Sequence, residues 1–102
     1  MKYVCLWEAD MSKWPTEPKE RAAAMVKMQE MTKQWLKSHP GAEWGIFIGQ
    51  HRGYSMAAGT PKQLMEDTLM FSPYIKFEVF QAANVDEYEE AFKDVIAKIQ
   101  PK

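Results

Sequence analysis

Gly53-Tyr54-Ser55-Met56-Ala57-Ala58-Gly59 runs straight into Thr60-Pro61-Lys62-Gln63-Leu64-Met65, and Phe71-Ser72-Pro73-Tyr74 into Ile75-Lys76-Phe77-Glu78-Val79-Phe80-Gln81-Ala82. The two runs decide the fold, because they read as a strand, a capped helix and a second strand in succession. Tyr54–Ala58 is a short run of small residues with glycine at each end, the bounds of a strand. Thr60 is the N-cap of the helix, Pro61 stands where its missing N–H costs nothing, and Gln63 completes a capping box. Leu64, Thr68 and Phe71 recur at helical spacing, widened by Met65 and Leu69. Pro73 ends the helix, since a proline disfavours helical geometry in the residue before it. Ile75, Phe77 and Val79 then alternate with Lys76, Glu78 and Phe80, the period of a strand.

On the N-terminal side of this unit, Tyr3-Val4-Cys5-Leu6-Trp7 is a strand apolar on both of its faces, and such a strand must be covered on both. Thr16-Glu17-Pro18 starts a helix expected over 17–37, with a hydroxyl cap and an acid in the first turn. Its apolar stripe is Ala24/Met25, Met28, Met31/Thr32 and Trp35, and Ser38-His39-Pro40-Gly41 stops it. A strand follows over 43–48, with Trp44, Ile46 and Ile48 on one side and Gly45 and Phe47 on the other. Gly45 and Gly49 leave little bulk there, and such glycines mark close approach by another backbone or a ligand. Gly49-Gln50-His51-Arg52-Gly53 is the hairpin loop to the Tyr54 strand.

On the C-terminal side, Asn84 caps a helix and Glu87 stands three residues on. Tyr88, Ala91/Phe92, Val95/Ile96 and Ile99 form an unbroken apolar stripe along it. The order is therefore strand, helix, strand, strand, helix, strand, helix. The expected fold is α+β: a ferredoxin-like βαββαβ sandwich with an extra C-terminal helix, residues 1–102 forming one domain.

The composition narrows the function classes. Net charge is −1 with both signs interleaved, so the clustered basic face of a nucleic-acid binder is not expected. No apolar run approaches the roughly 20 residues that span a bilayer, and the opening run is too short for a signal-peptide core. With a single cysteine, Cys5, no intramolecular disulfide forms, and the expected location is the cytoplasm. Four Trp, four Tyr, five Phe and eight Met are more than a small core needs, so part of this surface is expected at an interface or around a pocket.

Catalytic signatures are sparse. Two histidines without cysteine or carboxylate at ligand spacing give no metal site, and no cofactor is expected. The glycines do not form a phosphate cradle, and Ser38, Ser55 and Ser72 lack a nucleophile elbow. A buried Cys5 thiol is inert. His39 suits a helix C-terminus, where the dipole favours a cation. Glu43 and Glu78 are candidate bases only if buried. The candidate ligand-binding residues are Trp7, Trp35, Trp44, His51, Arg52, Tyr54 and Tyr74: rings for a cleft between sheet and helices, and a guanidinium fork for an anionic rim.

The run His51-Arg52-Gly53-Tyr54, Thr60-Pro61, Leu64, Phe71-Ser72-Pro73-Tyr74 and Phe77-Glu78-Val79, with the opening Met1-Lys2-Tyr3 and Trp7, resembles a family of small proteins known as a domain of unknown function. That family is similar in fold to the dimeric α/β barrels, which include small-molecule monooxygenases, decarboxylases, isomerases and ligand-gated regulators. The resemblance implies a homodimer and assigns no catalytic residue. Three functions are therefore expected in competition: a homodimer binding a small apolar or aromatic molecule, a cofactor-independent monooxygenase or isomerase, and a purely structural module.

Overall fold

The computed structural model describes residues 1–100. Four strands, β1 (Lys2–Ala9), β2 (Glu43–Ile46), β3 (Arg52–Ala58) and β4 (Ile75–Ala82), form one sheet in the order β2-β3-β1-β4. All three neighbouring pairs are antiparallel. Three helices, α1 (Pro18–Ser38), α2 (Pro61–Met70) and α3 (Val85–Ile99), complete the chain, with a 3₁₀ turn at Met11–Lys13. This α+β arrangement is compatible with the ferredoxin-like sandwich.

Both capping boxes form. The Thr60 hydroxyl accepts from the Gln63 amide at 3.2 Å, and the Gln63 side chain accepts from the Thr60 amide at 2.8 Å. Asn84 and Glu87 make the same exchange at the start of α3. The first helix differs from expectation. Its cap is the Glu17 carboxylate, which accepts from the Glu20 amide at 2.8 Å, not the Thr16 hydroxyl. Pro18 explains this: it keeps the residue before it extended, so Glu17 takes the cap position.

Strand β2 ends at Ile46, two residues before the expected Ile48. The turn to β3 begins at Phe47, whose carbonyl accepts from the Gln50 amide at 3.0 Å, and it passes through Gly49 at a φ of +78°. Ile48 therefore lies in the turn and is 99% exposed.

Register divides the sheet into two faces. Cys5 lies opposite Ser55 and Val79, and Trp7 opposite Gly53 and Phe77. Tyr3, Cys5 and Trp7 are buried on the face that α1 and α2 cover, and with Trp14 they make the core. The other face is open. Val4 stands between Met56 and Phe80, Leu6 between Tyr54 and Glu78, and Glu8 between Arg52 and Lys76. Leu6 and Phe80 are 42% and 46% exposed, so apolar side chains remain uncovered there.

Candidate functional site

Gly53 sets the floor of the site. A Cβ at this position would overlap the Gly45 carbonyl oxygen and lie 2.7 Å from Cζ2 of Trp7. The indole of Trp7 crosses the strand where that side chain is missing. Its Nε1 donates to the carbonyl oxygens of Gly45 at 3.2 Å and Tyr54 at 3.3 Å, satisfying a polar tip that burial would otherwise orphan. Beyond Gly53 the ring stacks on Trp44, with centroids 5.3 Å apart and planes 10° from parallel. Trp44 keeps 38% of its surface exposed.

Above this floor α1 and α2 leave a chamber of about 770 Å³ between themselves and the sheet. Met28, Trp35 and Leu36 of α1, Leu64 and Asp67 of α2 and Phe71 just after it form its roof, and Cys5, Trp7, Ser55 and Phe77 line the sheet side. The volume lies within the ~300–1,000 Å³ of small-molecule pockets, and the walls are mainly apolar.

The polar exception is a cluster around Asp67. Its Oδ2 lies 3.1 Å from Nε2 of His39, and both side chains are 24% exposed. His39 Nδ1 donates to the Trp35 carbonyl at 2.8 Å, which holds the ring with Nε2 towards Asp67. The pair ties the C-terminus of α1 to α2 across one edge of the chamber. Beneath it Cys5 and Ser55 face the chamber as direct cross-strand partners. Burial pushes the Cys5 thiol above its ordinary range, and the Asp67 carboxylate adds to the rise, against a smaller opposing effect of the Ser55 hydroxyl. The thiol stays protonated at neutral pH and is a poor nucleophile.

The seven residues expected to bind ligand divide between two places. Trp7, Trp35, Trp44 and His51 line the chamber, His51 at its exposed rim. Arg52 and Tyr54 lie outside it, because strand alternation puts them on the open face with Glu8 and Leu6. The Arg52 guanidinium sits 5.7 Å from the centroid of the Phe47 ring. Tyr74 also lies outside: its ring meets Trp14 edge-on, and its carbonyl accepts from Trp14 Nε1 at 3.0 Å. Glu43 and Glu78 are exposed on the open face. The expectation for His39 covered the helix end and not the contact with Asp67, and Asp67 itself gave no signal among the polar residues of α2. Only the antiparallel return of the chain brings the two together.

Among the described residues no group of three His, Cys, Asp or Glu side chains could hold a metal ion, and no helix is long and apolar enough to cross a membrane. No protein-family model and no curated protein sequence matches the chain.

Proposed function

We propose that this protein is a cytoplasmic homodimer that holds a small apolar or aromatic molecule between its sheet and its helices, on the dimeric α/β-barrel plan of the family it resembles. The chamber over the Trp7–Trp44 stack carries the reading. A purely structural module would fill this space with its own side chains, whereas here rings and thioethers face a gap. A monooxygenase or isomerase needs a free base aimed at its substrate. His51, Glu43 and Glu78 are exposed, Asp67 is engaged by His39, and the neighbouring thiol is held protonated. Binding is the function this geometry favours.

The open sheet face supports the dimer. Val4, Leu6, Met56 and Phe80 form an apolar centre, with Glu8, Arg52, Lys76 and Glu78 along its rim. Monomers rarely leave such contiguous patches in water. A thermal-shift panel of naphthalene-sized aromatics tests the binding reading. A ligand at about 100 times its dissociation constant adds ~2.7 kcal/mol of stability. An unmoved melting temperature across the whole panel refutes it.

A further inference from the structure

The chamber is open on one side only. Among the described residues, the large apolar side chains that line it and stay exposed are Met25 and Val26 of α1 and Trp44 and Ile46 of β2. Those from the other half, such as Leu64 of α2 and Phe77 of β4, are half-buried. β2 is an edge of the sheet, so the mouth faces outwards between that edge and α1.

α3 is an apolar element without cover in its own chain: only Ile96 is partly covered, and Phe92 stands exposed at the middle of the stripe. It leaves from β4, the edge opposite β2, so the mouth of its own chamber lies across the sheet. The mouth of a second copy is nearer. When two open sheet faces meet on a two-fold axis parallel to the strands, the β4 edge of one lies over the β2 edge of the other. An axis perpendicular to the strands sets β4 over β4. The crossover from β1 to β2 carries α1 over β3, and that from β3 to β4 carries α2 over β1. The first axis therefore brings α3 to α1 of the second copy, and the other axis brings it to α2. Stacked sheets lie about 10 Å apart and α3 is about 22 Å long, enough to pass the second sheet and reach its helices.

Charge decides between the two seats. α3 is acidic on balance. On α2, Glu66 and Asp67 stand against Lys62, so like charge weighs against a seat there. α1 is basic on balance, and Lys19 and Lys33 lie seven residues to either side of Val26, on one line of the helix.

We propose that α3 of a second copy closes the mouth of the chamber, its apolar stripe against Met25, Val26, Trp44 and Ile46, so that two chains wall each site. This seat rests on the homodimer proposed above and fixes its axis. Chains carrying Val26→Cys and Phe92→Cys separately are co-expressed and treated with a short bismaleimide. The mixture should give a covalent two-chain product, whereas either chain alone, and the unsubstituted protein with its buried Cys5, should not. Co-expressed Met65→Cys and Phe92→Cys chains, which place the first thiol on exposed α2 surface, should give none. Ile46→Cys is a second position at the mouth should Val26→Cys fail to fold. A product from the Met65 pair, with or without one from the Val26 pair, overturns the seat on α1. No product from any pair, with light scattering at twice the chain mass, overturns it and leaves the homodimer standing. A mass of one chain overturns both.

Discussion

Gly53 and Trp7 show what one missing side chain does here. The indole needs a path over β3 to reach Trp44, and only glycine leaves one. Gly53→Ala sets a methyl group against backbone as well as the ring, so a rotamer change of Trp7 alone does not relieve it. Overpacking of this kind costs about 1–3 kcal/mol. The variant should show a lower urea midpoint and a weaker far-ultraviolet exciton couplet from the Trp7–Trp44 stack. An unchanged midpoint and couplet would show that the crossing does not depend on the glycine. The sequence marks Gly45 and Gly49 as sites of close approach; Gly45 is one, Gly49 has open space around it, and Gly53, expected only as a turn residue, is the other. The sequence does not show what approaches, because Trp7 is distant along the chain and meets Gly53 only through the pairing of β1 with β3.

At the scale of elements, local signals and long-range ones part company. Capping residues, prolines and apolar period are written in consecutive residues, so both capping boxes and the existence of all seven helices and strands are legible before any coordinates. The end of β2 and the cap of α1 are less so, each decided by a competition over one or two residues. The division of the ligand candidates is not legible at all. Trp44 and Tyr54 look alike as strand aromatics, and only register puts one over the chamber and the other on the open face. The helix that carries Asp67 offers a test. Thr60→Ala removes the hydroxyl that accepts from the Gln63 amide, and loss of such a cap costs ~1 kcal/mol. Chemical denaturation should show that loss, while Thr60→Ser, which keeps the acceptor, stays near the parent. Equal stability of both variants would mean that α2 is held by packing and not by its cap.

The whole molecule is longer than one domain of this length should be. A compact chain of about 100 residues has a radius of gyration near 13 Å. The value here is 18.4 Å, with a longest dimension of 71 Å. α3 accounts for the difference: all its residues except Ile96 are exposed, and none lines the chamber. Yet it carries the most regular apolar stripe in the chain, with Tyr88, Phe92, Val95 and Ile99 at 66%, 52%, 50% and 66% exposure. An isolated amphipathic helix of this length is marginal in water and draws its stability from what it packs on. Among the described residues only Ile96 of α3 is partly covered, and the dimer proposed above would give the stripe a partner. Charge favours the same answer. Asp86, Glu87, Glu89, Glu90 and Asp94 outnumber Lys93 and Lys98 on α3, whereas Lys19, Arg21, Lys27, Lys33 and Lys37 outnumber Glu20 and Glu30 on α1. In a two-fold pair joined through the open sheet faces, α3 of each protomer would reach across to the other. Covering about 800 Å² per chain makes an interface of standard size. Light scattering at micromolar concentration should give twice the 11.9 kDa of the chain. Phe80→Glu, among the apolar side chains of the open face, should lower that mass towards one chain, and truncation after Ala83 should weaken the pair further. High salt should weaken it as well, through screening of the α1 and α3 charges. A mass of one chain for the unmodified protein would refute the exchange and leave α3 without a partner.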